Sequence, residues 1–261
     1  MAVPGNMIRA MFGAFLRGYA CALPHGFFMS ITLVMLGSTA EAQPPIHTLA
    51  AENMQVVPFV ISSDPKRLEF FLESWELAWP ELDFNVIHGN VSSIRGVGLT
   101  QAYVKLLEMC IPRCGDILLV LEDDAIPFAD DVKAGLWPSL FLRAWAEAPG
   151  GTDFLLLGAH HIKAAGGQKQ CTTVGTASIN RSTGATEGSL GFAKVTKSFG
   201  TYAWSMRANM MESLHALWKQ DLQRIGQRKA LSPDIVWYGV LRRHGASIPC
   251  PLLSITSQDF H

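Results

Sequence analysis

Neither sign of charge is in surplus in this chain: 22 acidic residues stand against 21 basic ones, for a formal net charge of -1. Non-specific attraction to nucleic acid needs a basic face, so that class of partner is set aside. Internal repeats and long low-complexity runs are missing as well, which leaves a globular chain. Long hydrophobic runs are scarce. The best of them, Tyr19 to Leu36, is barely long enough to cross a bilayer and is weakened by Pro24 and His25. Metal-ligand spacing of the zinc type is absent too. Cys110 and Cys114 in "CIPRC" have no second Cys or His pair close by, and the adjacent His160 and His161 diverge on an expected strand end.

What is present begins with an unusual front end. Arg9 and Arg17 precede an apolar stretch from Phe27 to Leu36, and Ala40-Glu41-Ala42 follows it. Positive flank, apolar centre and small residues at the cut site form the layout of a secretory signal peptide. Cleavage after Ala42 leaves Gln43 first; an uncleaved signal anchor is the alternative. The expected organisation is therefore a leader or anchor over 1–42, a linker over 43–55 and one domain over 56–261. At 49% hydrophobic residues, the chain can bury a full core. Two sequons, Asn90-Val91-Ser92 and Asn180-Arg181-Ser182, agree with passage through the endoplasmic reticulum and Golgi lumen, or with secretion. So does an even set of cysteines past the leader, Cys110, Cys114, Cys171 and Cys250, whose three possible pairings stay open.

Along the domain, strand and helix patterns alternate. "QVVPFVISS" reads as a strand closing at Ser62-Ser63-Asp64-Pro65, and a helical period over Lys66 to Trp79 ends at Pro80. "DFNVIHG" is a second strand, Thr100 to Met109 a helix, and "DILLVLEDD" a strand apolar enough to be covered on both faces. "FLRAWAEA" is expected as a helix and "DFLLLGAHH" as a buried strand. Residues 166–198 read as a long irregular excursion rich in Gly, Thr and Ser. Then come a strand at "SFGTYAWSM", a helix from Ala208 to about Gln227, and a helix in "SPDIVWYGVLRRHG" capped by Ser232. Such alternation predicts an α/β fold with a mostly parallel central sheet flanked by helices. Ligands bind beyond the carboxyl ends of such strands, where "SSDPKR", "LEDD" and "LGAHH" stand.

The acidic run Glu122-Asp123-Asp124 is the feature that calls for chemistry. Three like charges closing an apolar strand repel one another unless something positive compensates them. Strand alternation puts Glu122 and Asp124 on one face and Asp123 on the other. A pair of carboxylates so spaced suits a hard divalent cation such as magnesium or manganese, which takes oxygen donors and substrate phosphates. The plain alternative is a solvated acidic turn. Asp130-Asp131 are expected to cap the following helix, and His160 to be structural.

"DILLVLEDDAIPF" resembles the acidic strand-end motif of glycosyltransferase family 25, which contains lipooligosaccharide and collagen galactosyltransferases. "VVPFVISSDPKRLEFFLESW", "GVGLTQAYVKLLE", "FLLLG" and "FGTYAWSMRANMMESL" are similar, in that order, to further landmarks of the family, over Val56 to Asp259. The resemblance implies a single-domain fold of the GT-A type and sugar transfer from a nucleotide-sugar donor to a hydroxyl of a glycan, protein or lipid-linked acceptor. It implies Asp124 with Glu122 as ligands of a manganese or magnesium ion, and Glu122 or Asp123 positioning the ribose or a bound water. Ser62 and Arg67 fall beside the donor at the first strand end. Asp234 falls where the family has a late acidic residue, as the base that takes the acceptor proton. This chain departs from the family where Ser-His is usual, carrying Thr100-Gln101 or Ala102-Tyr103 there. Two rival functions are a metal-dependent phosphoester hydrolase and a non-catalytic, secreted or tethered binding protein on the same fold.

Overall fold

The computed structural model describes residues 49–51, 54–90, 96–111, 113–127, 129–133, 135–164, 178–180, 185–188, 190–225, 240, 246–250 and 255–257. The leader, Cys171, Asp234 and the helix expected at "SPDIVWYG" lie outside them. All of the described residues belong to one unit, Pro44–His261. No helix among them is long and apolar enough to cross a membrane.

In chain order the strands are β1 (Leu49–Ala51), β2 (Met54–Ser62), β3 (Asn85–His88), β4 (Ile117–Glu122), β5 (Ala125–Pro127), β6 (Phe154–Ala164), β7 (Ser178–Asn180), β8 (Ala185–Glu187), β9 (Gly191–Arg207), β10 (Ala246–Cys250) and β11 (Ile255–Ser257). The helices are α1 (Pro65–Ala78), α2 (Val97–Cys110), α3 (Ala129–Lys133), α4 (Trp137–Glu147) and, after a 3-10 turn, α5 (Met211–Ile225). Seven strands form the main sheet. β2, β3 and β4 run parallel. β9 is antiparallel to β4, β6 and β10, so β6 and β10 point the same way as β4. Only β1 and β9 oppose the other five. The sheet is therefore mostly parallel, as the alternating sequence pattern predicts.

Two clusters fill the two faces of the sheet. Leu118 and Val120 of β4 pack with Tyr103, Leu106 and Leu107 of α2 and Trp218 of α5. Ile117, Leu119 and Leu121 face Phe71 and Trp75 of α1 and Trp137, Phe141 and Trp145 nearby. Burial on both faces explains why β4 reads as an unbroken apolar run. α1 begins where the Asp64 side chain accepts from the Lys66 and Arg67 amides, with Pro65 at its first position. α2 begins at Gly96, whose φ of 80° needs no Cβ.

Several sequence expectations are corrected. β9 begins at Gly191, inside the stretch read as irregular. Asp130 and Asp131 do not cap a helix; they lie within α3, a short helix the sequence pattern did not show. β6 does not end at His161 but continues to Ala164. Beyond the Gly158–Ala203 pair, β6 and β9 stay paired as an antiparallel ribbon to Ala164 and Val195, and the neighbouring Lys194 of β9 already pairs with Ser247 of β10, level with Leu155. The edge strand β1 pairs antiparallel with the start of β2.

Candidate functional site

Adjacent parallel strands bring "SSDPKR" and "LEDD" together, since Ile61 of β2 is level with Glu122 of β4. On the other edge of β2, Ser62 is level with His88 of β3. The third expected end, "LGAHH", does not close the same rim: β9 stands between β4 and β6, and β6 runs on as the ribbon. The His160 side chain lies outside the described residues.

The backbone of the acidic run is held at several points. The Asp123 amide donates to the Ile61 carbonyl at 3.0 Å, extending the β2–β4 ladder one residue past β4. Asp123 and Asp124 then form a turn, and β5 starts at Ala125. The indole of Trp75 donates to the Ala125 carbonyl at 2.8 Å, tying the far side of that turn to α1. This turn overturns the simple alternation expected from an extended strand. Glu122 reaches toward α2, where the Tyr103 hydroxyl donates to its Oε1 at 3.1 Å. Asp123 and Asp124 both reach Arg67 on α1, at 2.5 Å and 3.8 Å.

Asp123 is buried, with 5% of its surface exposed, and Ser62 and Arg67 answer its charge. The Ser62 hydroxyl donates to Asp123 Oδ2 at 2.6 Å and accepts from the Asp64 amide at 3.2 Å. Arg67 supplies the cation. Burial still pushes the Asp123 carboxyl above the ordinary aspartate range, and the neighbouring Asp124 and Asp64 add to this, while Ser62 and Arg67 pull it down. The compensating positive charge that the sequence called for is thus, for Asp123, an arginine of the chain itself.

Tyr202 of β9 completes the surroundings of Asp124. Burial first, and then the Asp124 charge, push its phenol above its ordinary value. Its ring passes over Gly158, where a Cβ would collide with it. That glycine inside a strand is the sequence signal of a close approach, and it went unread. Tyr103 was missed for a different reason: an aromatic at helical spacing reads as core, and only its hydroxyl reaches the site. Thr100, in the same stretch, bonds back to the Gly96 carbonyl at 2.9 Å and stays within α2.

Beside the turn lies a cavity of about 330 Å³ at the carboxyl ends of β2 and β3. Ser62, Ser63, His88 and Gly89 line it from the strand ends, and Leu68, Glu69 and Leu72 from α1. Ser62 belongs to both cavity and acid turn, so the two adjoin.

The donors suit a hard cation in kind, because they are carboxylate oxygens. Among the described residues no group of three or more His, Cys, Asp or Glu converges on one position. The two expected ligands have partners on different elements, Glu122 on Tyr103 of α2 and Asp124 on Arg67 of α1, so an ion using both would have to reach across the turn and would complete its shell from phosphate and water oxygens. Away from the site, Cys110 and Cys114 are joined in a disulfide with Cα atoms 4.8 Å apart, which settles one pairing left open by the sequence.

No family model matches the sequence, and no curated protein does. Among solved structures the chain is similar to a mannose-1-phosphate geranyltransferase from Thermus thermophilus. The identity is 12% over 77% of this chain and 75% of that one, with a TM-score of 0.37. It is also similar to a protein described as a glucose-1-phosphate thymidylyltransferase from Bacillus anthracis, solved with a sucrose. There the identity is 16%, the coverage 77% and 69%, and the TM-score 0.35. At such scores neither likeness bears on what the chain does.

Proposed function

We propose that the chain is a nucleotide-sugar-dependent glycosyltransferase. It moves a hexosyl group, galactose on the family 25 resemblance, to a hydroxyl of a glycan, protein or lipid-linked acceptor. The observation that carries this reading is the cavity sharing Ser62 with an acidic turn already furnished with an arginine. A nucleoside is flat, partly apolar and of the right order of size for that cavity, and its diphosphate would then run along the strand ends to the acids.

Each residue has a stated task on this reading. Ser62 and Arg67 fix Asp123, which holds the turn in place and offers an oxygen to a ribose hydroxyl. Arg67, with 32% of its side chain exposed, links the first turn of α1 to the acids and would also meet the donor's phosphate oxygens. Glu122 and Asp124 would hold a manganese or magnesium ion, which when bound supplies Lewis-acid stabilisation of the departing diphosphate. The acceptor oxygen bonds to the anomeric carbon as the bond from that carbon to the diphosphate breaks, and the acceptor proton passes to a base. Asp234 is proposed for that role. The same reading places the enzyme in the lumen of the secretory pathway, delivered or anchored by residues 1–42.

The test is a titration of the purified chain with manganese and a panel of nucleotide-sugars, following sugar-dependent release of nucleoside diphosphate. Asp124→Ala should abolish cation-dependent binding of the nucleoside diphosphate while leaving the thermal midpoint nearly unchanged. Asp234→Asn should keep donor binding and lose transfer. Cleavage of simple phosphate esters would move the assignment to a hydrolase, and nucleotide binding without turnover on any acceptor would leave a binding protein.

A further inference from the structure

The three carboxylates of the acidic turn are controlled in two different ways. On the α1 face a cation orients them, with Arg67 in contact with Asp123 and 3.8 Å from Asp124. On the α2 face Glu122 accepts instead from a neutral phenol, that of Tyr103, at 3.1 Å. These partners have different consequences. A guanidinium cancels the charge that it orients, whereas a phenol hydroxyl gives a carboxylate a direction and leaves its charge in place.

Tyr103 is itself held firmly. Its ring is 1% exposed, lies nearly parallel to Trp218 of α5 at 5.0 Å and 18°, and meets Trp204 of β9 at 5.8 Å and 51°. Three elements therefore fix the ring, and the ring fixes the hydroxyl. Glu122 is the opposite kind of group, a long flexible side chain at the end of a strand and half-buried. A flexible ligand aimed by a rigid donor loses less freedom when a substrate arrives, the physical meaning of preorganisation.

From this we infer that Tyr103 is a positioning residue of the donor site: its hydroxyl aims Glu122 at the incoming cation or ribose. The inference deepens the glycosyltransferase reading and rests on it. It also gives the aromatic triad of α2, β9 and α5 a second duty beyond filling the core, for a phenylalanine would pack there equally well and would not need a polar partner.

The experiment is a double-mutant cycle on the full chain with Tyr103→Phe, Glu122→Gln and the pair, read by calorimetric titration with manganese and UDP, GDP or ADP. Tyr103→Phe keeps the stack, so its thermal midpoint should stay close to that of the parent. Its diphosphate affinity should fall roughly tenfold, the scale of one hydrogen bond to a charged group. The double variant should bind no more weakly than Glu122→Gln alone if the hydroxyl acts through that carboxylate. In turnover, Tyr103→Phe should raise the donor KM and spare kcat at saturating donor. Unchanged affinity in Tyr103→Phe, or losses that simply add, would overturn the inference while leaving the wild-type nucleotide site standing. A wild-type chain that binds none of the diphosphates with manganese would overturn the glycosyltransferase reading and this inference together.

Discussion

Arg67 and Asp123 form the contact on which the geometry of the acidic turn depends most directly. The carboxylate is buried and its ordinary pKa of 3.8 is raised, so the folded chain binds that proton more tightly than the unfolded chain. The folded state thus holds more protons across the window from the ordinary value up to the raised one, and in that window stability falls as pH rises. Arg67→Met strips the cation from a buried carboxylate. It should cost about 1–3 kcal/mol at pH 7, at the low end of what breaking a buried pair costs because the guanidinium is partly exposed to screening solvent. The deficit should shrink as pH falls and Asp123 takes up a proton, and urea unfolding across a pH series measures it. A deficit independent of pH would show that packing of the arginine stem, not its charge, matters. The acid run was plain in the sequence because three charges followed an apolar strand. Its partners were not, since Arg67, Ser62 and Tyr103 arrive from other elements, and each by itself looks like an ordinary cap, turn or core residue.

At the scale of elements, the segments read correctly are those whose burial pattern is simple. β2 and β4 are apolar on both faces, and α1 carries its cap, its first-position proline and a buried stripe of Phe71, Trp75 and Ala78. The first half of β9 was hidden by its Gly- and Ser-rich setting, although Ala193 and Val195 are buried and Lys194 and Thr196 exposed, a period of two. α3 and β5 are too short for any period to show. The start of α2 depends on a close approach that no pattern reveals. A Cβ on Gly98 would fall on the carbonyl of Asn90, just past β3. Gly98→Ala should therefore force the helix start or the strand exit to move and cost about 1–3 kcal/mol, the usual penalty of overpacking. Thermal unfolding checks it. A stabilised variant, as expected for alanine in an unconstrained helix, would show that this contact yields easily.

For the molecule as a whole, the rim of the site is where the proposed compartment can be tested. Asn90 is exposed, next to the cavity-lining Gly89. If residues 1–42 deliver the chain to the lumen, its sequon should carry a glycan when the full chain is expressed in a eukaryotic secretory system. A glycosidase that removes N-linked sugars should then increase the electrophoretic mobility of the wild type, and Asn90→Gln should remove part of that change. No shift in the wild type would count against lumenal residence. The order of features along the carboxyl edge carries a further meaning. The cavity lies at β3 and β2, the acids at β4, and the ribbon of β9 and β6 beyond them. On the proposed function, a donor seated in the cavity with its diphosphate at the acids would present its sugar toward the side of β9. If that reading holds, changes on the β9 side should alter which molecule receives the sugar while sparing the choice of base, so that the two halves of specificity could be altered separately.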